Sequence, residues 1–495
     1  MSDSTEIKKF LRISHLHVKL GASHALRDLR LGIGEREYFA LVGASGSGKT
    51  VLAHTIAGLH HYEGKIEWND APLHNNLVNV LVVEQQNRFK DLSNLSEFYY
   101  QQRYNAFDAE RTLTVREDIE NYLGDLGSDW LSFEFVRILH IDKLLDEPLI
   151  QLSNGENKRL QLVKALLTVH DLLILDQPFI GLDKEGRSIL TAMLNNLAVR
   201  GHRMLLITSP RDIPGFVTHV ATMVEGMIVD VRSAATFDPA HAGSLRHLHF
   251  HADRIHADNA TDLFEYAVRM ADVSVRYGQK NILSNINWSV ARGERWSLSG
   301  PNGAGKSTLL SLICGDNPQA YANEIYLFDR KRGSGESIWD IKKKIGFVSP
   351  ELHLYFGAGS SVFQTVASGL FDTIGLFRHI NAGQSDLVMY WLETMGLADI
   401  PDKMLSQISL GEQRLTLLAR ALIKNPPMLI LDEPCQGLDE DITSAFSEFI
   451  DEYCCTLHAT LIYVSHYLQD IPSSVNKFFR LQNGKQVVNE EQMMR

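Results

Sequence analysis

Two glycine-rich segments of this chain each end in a lysine followed by a hydroxyl residue. GASGSGKT runs from Gly43 to Thr50, and GPNGAGKS runs from Gly300 to Ser307. In such a loop the glycines let backbone N–H groups turn inward around an anion at a helix N-terminus, whose dipole favours negative charge. The lysine then reaches the β- and γ-phosphates of a nucleotide, and the hydroxyl binds Mg²⁺. The predicted phosphate-binding residues are Gly43, Ala44, Ser45, Gly46, Ser47, Gly48, Lys49 and Thr50, and Gly300, Pro301, Asn302, Gly303, Ala304, Gly305, Lys306 and Ser307.

An aspartate ends an apolar run in each half of the chain. LLILD ends at Asp176, and MLILD ends at Asp432. A short run that is apolar throughout is typical of a strand buried on both faces of a mainly parallel sheet. The aspartate then lies at the sheet edge that faces the glycine-rich loop, where it can hold Mg²⁺ together with Thr50 or Ser307. An aspartate at a strand end is also often only a turn residue.

These motifs recur in the same order at one spacing. Between the two halves the glycine-loop lysines are 257 positions apart, and the strand-end aspartates are 256 apart. LSNGENKR, which contains Ser153, corresponds to ISLGEQR, which contains Ser409. Self-similarity at a constant period identifies a repeat. The sequence therefore predicts two copies of one domain, at 1–232 and 265–495, joined by a linker at 233–264 that is rich in histidine and alanine.

Each copy alternates strand and helix patterns. The stretch 38–42 is apolar and precedes the first glycine, and a helical pattern follows at 51–59. That strand–loop–helix context is what a phosphate-binding loop requires. A helix-rich section follows in each copy, at about 85–150 and about 350–405. The predicted fold class is α/β, with two tandem P-loop NTPase domains, each built on a mainly parallel sheet core and a helical subdomain.

A third motif precedes each aspartate strand. S-N-G-E and S-L-G-E fit a capping box, in which an N-cap serine and a glutamate three positions later start a helix. Together with the glycine-rich loop, the aspartate strand and a following Gly-Leu-Asp, however, they resemble the Walker A, signature, Walker B and D-loop motifs of the ABC ATPase family, over nearly the whole chain. The predicted signature residues are Ser153, Gly155, Glu156, Ser409, Gly411 and Glu412.

The resemblance implies that ATP and Mg²⁺ are the cofactors and that the two domains face head to tail. In that family the signature of one domain contacts the γ-phosphate of ATP held by the other. Carried over, the Lys49 site uses the Ser409 signature, and the Lys306 site uses the Ser153 signature. The expected activity is hydrolysis of ATP to ADP and phosphate.

The two sites are expected to be unequal. The family usually has a glutamate after the Walker B aspartate that polarises the attacking water; copy two has Glu433 there, whereas copy one has Gln177. An amide is nearly isosteric but cannot take a proton, and loss of a general base costs about 10²–10⁴-fold in rate. The resemblance also implies a switch histidine, which is His466 in copy two and is replaced by Ser209 in copy one. The predicted catalytic residues are Glu433, His466, Lys306 and Asp432.

Two further positions of the family differ between the copies. The aromatic residue that stacks on adenine is expected at Tyr277, where copy one has Leu20. The Q-loop glutamine is expected at Gln85 or Gln86 in copy one, whereas copy two has Pro350. The first difference adds to the expectation that copy one binds nucleotide with weak turnover. The second difference, Pro350 at the Q-loop position, is expected to affect the coupling of the copy-two site to its helical subdomain more than the hydrolysis reaction.

Composition limits the location and the partners. The 495-residue chain carries a net charge of −12, which weighs against broad nucleic-acid binding through lysine and arginine. No apolar run approaches the roughly 18–20 residues that cross a bilayer, and the N-terminus lacks the apolar core of a signal peptide. Four cysteines make no disulfide framework. We therefore expect a cytoplasmic protein without a direct nucleic-acid partner, peripheral on the cytoplasmic face of the inner membrane when it serves a permease.

One insertion and one stretch of copy two indicate which subgroup of the ABC ATPase family the chain resembles. NLSEFYYQQRYNAFD (94–108) and the copy-two stretch GFVSPELHLYF resemble the ModF-like, photorepair PhrA-like tandem proteins. That resemblance implies an ATPase subunit of a molybdate-type importer that energises a separate permease. Two alternatives stay open: a soluble ABC factor acting on ribosomes or other cytosolic machinery, and an ATP-gated regulatory protein. The insertion is either a packing surface or a permease-docking surface, with candidate anchors Tyr99, Tyr100, Arg103 and Tyr104.

Overall fold

The structure is a computed structural model, and contacts divide the chain into two compact units. The first holds the described residues up to 238, and the second holds Leu248 and the described residues from 264 onward. Ala234 and Phe237 pack against the core of the first unit, and Phe264 is buried in the second. The described residues are 9–21, 23–69, 78–84, 113–124, 129–149, 152, 154–180, 182–238, 248, 264–278, 280–350, 352, 356, 359–436, 438, 440–465 and 467–487.

The described residues of the first unit form a mainly parallel sheet and a smaller antiparallel one. Its strands are β1 (Lys9–Leu20), β2 (Ser23–Gly34), β3 (Phe39–Val42), β4 (Glu63–Trp68), β5 (Val80–Val83), β6 (Leu172–Asp176), β7 (Met204–Ile207), β8 (His219–Val224) and β9 (Met227–Ser233). The larger sheet has the order β5-β6-β7-β3-β8-β9 and is parallel except between β8 and β9. Strands β2, β1 and β4 form the antiparallel sheet.

Helices cover the larger sheet of the first unit. They are α1 (Lys49–Ile56), α2 (Val115–Leu123), α3 (Glu134–Ile138), α4 (Asn154–Leu167) and α5 (Lys184–Val199). Helix α2 begins with a capping box, because the Thr114 hydroxyl accepts from the N–H of Glu117 while the Glu117 carboxylate accepts from the N–H of Thr114. Helices α2 and α3 lie in the helix-rich section that the sequence predicts at about 85–150.

The second unit repeats this arrangement. Its strands are β10 (Tyr266–Tyr277), β11 (Lys280–Ala291), β12 (Arg295–Ser299), β13 (Glu324–Leu327), β14 (Arg330–Lys331), β15 (Ile345–Val348), β16 (Met428–Asp432), β17 (Thr460–Val464), β18 (Lys477–Gln482) and β19 (Lys485–Val487). The order β15-β16-β17-β12-β18-β19 is parallel except between β18 and β19. Strands β11, β10, β13 and β14 form the antiparallel sheet.

A helical subdomain packs as a layer of the second unit. Val366, Trp391 and Leu418, from three successive helices, belong to one buried cluster. The predicted α/β fold class, with a mainly parallel sheet and a helical section, is thereby confirmed. The helices are α6 (Lys306–Ile313), α7 (Ile338–Lys342), α8 (Val362–Ser368), α9 (Ala382–Thr394), α10 (Leu410–Leu422) and α11 (Glu440–Leu457).

The strand that carries each predicted metal-binding aspartate is buried on both faces. In β6, Leu172 and Ile174 join one core cluster, whereas Leu173 and Leu175 join the other. A slip of one residue would exchange every side chain between the two cores, so the register of the strand is strongly specified. The aspartate at its end is fixed in place as a consequence. In β16 the same alternation holds for Met428 and Ile430 on one side and Leu429 and Leu431 on the other.

Replacing Ile430 by alanine should destabilise the second unit, because the side chain is 0% exposed and its loss leaves a cavity in the core. We expect the free energy of unfolding to fall by about 2–5 kcal/mol in urea denaturation. Leu468→Ala is the matched control, since Leu468 is 82% exposed, and its effect should stay within about 0.5 kcal/mol. Similar losses in both variants would contradict the assignment of β16 to the core.

Candidate functional site

The first glycine-rich loop lies between β3 and α1 and closes around its own lysine. Lys49 Nζ donates hydrogen bonds to the carbonyl oxygens of Gly43 at 2.7 Å and Ala44 at 2.8 Å. Gly48, directly before α1, has a φ of 99°, a conformation that favours glycine. A Cβ on Gly43 would lie 2.2 Å from the carbonyl oxygen of Met223. The close approach of two backbones therefore requires glycine at this position.

The second glycine-rich loop, between β12 and α6, has the same geometry. Lys306 Nζ donates to the carbonyl oxygens of Gly300 at 2.7 Å and Pro301 at 3.2 Å. Gly305 has a φ of 100°. A Cβ on Gly300 would lie 2.3 Å from the carbonyl oxygen of Leu481. The repeat seen in the sequence is thus also a repeat of backbone conformation.

Both loops fit the phosphates of a nucleotide. Each one leads into the N-terminus of a helix of 8 residues, where N–H groups and the helix dipole favour an anion. The lysine ammonium is held against the loop by neutral carbonyl oxygens. Charge-assisted hydrogen bonds to phosphate oxygens are roughly twice as strong as neutral ones, so a bound phosphate would draw the lysine to itself.

Oxygen ligands suited to Mg²⁺ meet beside the first loop. Thr50 Oγ1 donates to Asp176 Oδ2 at 2.6 Å. Burial raises the pKa of the Asp176 carboxyl, while the hydrogen bond from Thr50 and the charge of Lys158 oppose that rise. Ser307 and Asp432 occupy the equivalent positions in the second unit. In the described part of the chain no group of three or more His, Cys, Asp or Glu could hold a metal.

The residue after each strand-end aspartate has the same backbone conformation in both units. Its φ is 51° at Gln177 and 45° at Glu433, which is uncommon for a residue other than glycine. The N–H of Gln177 donates to Ile207 O at 2.9 Å, and the N–H of Glu433 donates to Val464 O at 2.9 Å. The Gln177 amide therefore stands where the second unit has a carboxylate.

The signature motif of the second unit starts α10 with a capping box. Ser409 Oγ accepts from the N–H of Glu412 at 3.3 Å, and Glu412 Oε2 accepts from the N–H of Ser409 at 2.8 Å. Gly411 is buried in the first turn, and Gly155 and Glu156 lie in the first turn of α4. The positive end of the helix dipole lies at this N-terminus whether or not a capping box is present. The capping box is therefore compatible with recognition of a phosphate there.

Each signature helix, α4 in the first unit and α10 in the second, carries a buried cationic side chain that was not predicted from the sequence. Lys158, 4% exposed, donates from Nζ to the carbonyl oxygen of Glu84 at 2.6 Å, and burial lowers the pKa of Lys158 to about 8. Arg414, 2% exposed, donates from Nη1 to the carbonyl oxygen of Ser349 at 3.1 Å. The two cations are 256 positions apart, the spacing of the repeat, which is the signal that identifies them as a pair.

These two cations connect equivalent elements. Glu84 directly follows β5 and Ser349 directly follows β15, and each of these strands is at the end of its parallel sheet. The segment predicted to carry the Q-loop begins at the next residue. Each signature helix is therefore bonded through a buried cation to the backbone where that segment starts.

The first unit also has a histidine–glutamate contact that is replaced in the second. His54 Nε2, on α1, lies 3.2 Å from Glu84 Oε1. The hydrogen bond to Glu84 is the main cause that raises the pKa of His54. The equivalent positions in the second unit are Ser311 and Ser349. The first unit thus differs from the second in charged groups around the site as well as in Gln177.

Other predicted positions have local roles that the structure describes. The Tyr277 hydroxyl accepts from Asn317 Nδ2 at 2.9 Å, and the ring packs partly buried against the core; its stacking on adenine stays a prediction. Leu20 is 41% exposed. Ser209 Oγ accepts from the N–H of Arg211 at 3.2 Å and so caps a 3₁₀ turn.

Several predicted residues lie outside the described part of the chain. They are Gln85 and its alternative Gln86, Ser153, His466 and the insertion 94–108. Pro350, which stands where the family has its Q-loop glutamine, is described and buried. The roles assigned to the first group remain expectations from the sequence.

Two phosphate-binding loops, each beside a strand-end aspartate on a mainly parallel sheet, define a tandem P-loop ATPase. The family model described as ABC transporter matches residues 26–180 and 283–436. This chain belongs to that family. It binds ATP and is an ATP-hydrolysing enzyme, as its family's ATPase domains are.

Known relatives match nearly the full length. The ABC transporter ATP-binding protein ModF of Escherichia coli (strain K12) is 34% identical, covering 92% of this chain and 94% of that protein. An uncharacterized ABC transporter ATP-binding protein of Schizosaccharomyces pombe, C323.04, is 30% identical, covering 94% and 96%. The predicted resemblance to ModF-like tandem proteins is confirmed.

Solved structures share the fold. The model of ribosome-bound archaeal Pelota and ABCE1 has a TM-score of 0.62 at 19% identity, covering 98% of this chain and 79% of that one. The complex of the archaeal ribosomal stalk protein aP1 with the ribosome recycling factor aABCE1 has a TM-score of 0.56 at 17% identity, covering 97% and 91%. At these identities the likeness shows the fold alone.

Replacing Arg414 by methionine should loosen the end of β15. The variant removes the Arg414 donor from the buried Ser349 carbonyl, which keeps the N–H of Leu352 at 3.3 Å, so the loss of one hydrogen bond should cost about 0.5–1.5 kcal/mol. We expect the amides of 345–348 to exchange hydrogen roughly 10-fold faster, measured by mass spectrometry. Arg480→Met is the matched control because Arg480 is exposed on β18. Wild-type exchange in the Arg414 variant would contradict the link between signature helix and strand.

Proposed function

We propose that this chain is the ATP-binding and ATP-hydrolysing subunit of a molybdate-type importer, and that its second unit powers a separate membrane permease. The observation that carries the assignment of hydrolysis to the second unit is the shared backbone at Gln177 and Glu433, with a carboxylate at only one of them. Similarity over nearly the full length to an ABC transporter ATP-binding protein supports the class of partner. Molybdate is proposed as cargo because the ModF-like proteins that this chain resembles are associated with molybdate uptake.

In the proposed mechanism the loop of the second unit surrounds the phosphates of ATP. The ammonium of Lys306 leaves the carbonyl oxygens of Gly300 and Pro301 for the β- and γ-phosphate oxygens. Ser307 and Asp432 would hold Mg²⁺, which supplies charge neutralisation on the phosphates when bound. Pre-arranged donors of this kind stabilise the charge that develops in the transition state.

Glu433 follows the metal-binding aspartate by one residue and acts as the general base. It takes a proton from the attacking water, a task that the amide of Gln177 cannot perform. The first unit keeps its phosphate loop and its Thr50–Asp176 pair. Its proposed role is therefore to bind ATP with weak turnover.

Lys306→Ala or Glu433→Gln should remove nearly all steady-state hydrolysis, by about 10²–10⁴-fold, because each deletes a group needed at the one competent site. Gln177→Ala should change the rate far less and is the matched control at the same backbone position. Phosphate release measures the rate, and a fluorescent ATP analogue verifies binding. Equal losses from Glu433→Gln and Gln177→Ala would exclude a single competent site.

A concave surface of the second unit suits a protein partner. A cavity of about 440 Å³ opens between β15, the C-terminal half of α10 and the segment after α8. Trp339 and Phe377 line it and are 50% and 80% exposed. Exposed aromatic side chains are typical anchors of interfaces. This cavity is therefore a second candidate surface for docking the permease, beside the insertion at 94–108.

The second candidate is a soluble ABC factor that acts on ribosomes. It is favoured by the fold shared with two ABCE1 structures, one with a ribosomal stalk protein and one bound to the ribosome, at 17% and 19% identity. A net charge of −12 weighs against a nucleic-acid surface. Across the described ranges, no helix has the length and apolarity needed to cross a membrane. The importer role accordingly requires a separate permease and a location at the cytoplasmic face.

Wild-type chain should sediment with native membranes that contain the permease. The double variant Trp339→Ala/Phe377→Ala should stay in the supernatant, because it removes both exposed anchors of the cavity. Leu468→Ala, 82% exposed and outside the cavity, is the matched control and should sediment like wild type. ATP binding should be unchanged in all three proteins.

The same fractionation tests the alternatives. Alanine at the four insertion anchors (Tyr99, Tyr100, Arg103 and Tyr104) reports whether that segment docks as well. The outcome that favours the alternative has two parts. Wild-type protein would stay in the supernatant when membranes are sedimented, and it would sediment with ribosomes in an ATP-dependent way. The ribosome would then replace the permease as the proposed partner.

A further inference from the structure

The glutamate proposed as general base has a side-chain partner within its own turn. Gln436 Nε2 donates a hydrogen bond to Glu433 Oε2 at 2.8 Å. Both residues are half-buried. A hydrogen bond to an ionised carboxylate is stronger than one between neutral groups, and partial burial reduces competition from water. The contact therefore restrains the plane of the carboxylate.

The backbone brings the two side chains together. Pro434 occupies the second position of the turn, where its preset φ is favourable, and the N–H of Gln436 donates to the Glu433 carbonyl oxygen at 3.1 Å. Cys435 is buried, and its Sγ lies 3.4 Å from the Tyr463 hydroxyl. That contact anchors the turn to β17. The position of Gln436 is thus set by the fold.

The first unit makes the same turn without the pair. The N–H of Ile180 donates to the Gln177 carbonyl oxygen at 3.3 Å, and Pro178 has the same place in the turn. Ile180 has no polar group in its side chain and cannot hold its neighbour. An aliphatic residue is therefore compatible with this turn, and the glutamine of the second unit is not needed to form it.

We propose that Gln436 is a positioning residue for hydrolysis, which holds the Glu433 carboxylate in the orientation that receives the proton of the attacking water. The inference rests on the proposed function of Glu433. In that step a water O–H bond breaks and its proton passes to Glu433. The water oxygen bonds to the γ-phosphorus, and the electron pair of the broken P–O bond leaves on the β-phosphate of ADP. Gln436 takes no part in these bond changes and acts through Glu433.

Two substitutions test the role of the donor. Gln436→Glu keeps the size of the side chain but replaces the amide donor by a carboxylate, and Gln436→Ala removes the whole contact. Each should lower kcat about 10- to 100-fold, the scale of a misplaced catalytic group, while KM and ATP-analogue affinity stay within about twofold. Ile180→Ala is the matched control at the equivalent position of the first unit and should leave kcat unchanged.

A double variant separates positioning from general structural damage. In the Glu433→Gln background the carboxylate is absent, so Gln436→Ala should not lower the residual single-turnover rate any further. A residue that only maintains the fold would lower the rate in both backgrounds. A further fall in the double variant would therefore overturn the inference.

The remaining outcomes distinguish this inference from the proposed function. Wild-type kcat in Gln436→Glu, with hydrolysis lost in Glu433→Gln, would overturn the positioning role alone. Full hydrolysis in Glu433→Gln would overturn the function proposed for Glu433 itself. If circular dichroism shows that Gln436→Ala does not fold, the isosteric Gln436→Glu variant decides.

Discussion

Backbone-to-backbone packing at the start of each glycine-rich loop is the constraint on which both nucleotide sites depend. A Cβ on Gly43 or Gly300 would come within 2.2 or 2.3 Å of a carbonyl oxygen in β8 or β18. The loop is consequently held against the carboxyl edge of the parallel sheet. The same edge carries the strand-end aspartates Asp176 and Asp432, so phosphate donors and metal ligands meet there.

The two units keep this scaffold and change the side chains that act on it. Gln177 and Glu433 share a left-handed backbone and the same hydrogen bond to the next strand. Because the conformation does not depend on the carboxylate, an amide can stand at this position without disturbing the phosphate loop. The repeated fold is therefore compatible with the proposed division into a site that binds ATP and a site that hydrolyses it.

Buried cations tie each signature helix to the end of a strand. Burying a charge is costly unless it is hydrogen-bonded, yet both units do so, with Lys158 and Arg414. Each cation bonds to a backbone carbonyl oxygen. The bond therefore does not depend on which side chain occupies the next position, where the Q-loop segment begins. This explains how the second unit keeps the helix and the strand connected with Pro350 at the Q-loop position. Burial lowers the pKa of Lys158 to about 8.

The sequence by itself determined the repeat, the phosphate loops, the aspartate strands and the unequal residues Gln177 and Glu433. Each of these depends on residue types within a few positions, and the repeat presents each motif twice. Only the tertiary structure decided the contact of Lys158 with Glu84 and of Arg414 with Ser349, whose partners are 74 and 65 positions apart. Such pairs depend on which strand ends the sheet, which way a helix face points and how deeply it is buried. Those properties come from packing between segments distant in the chain, and a single sequence does not contain that information in readable form.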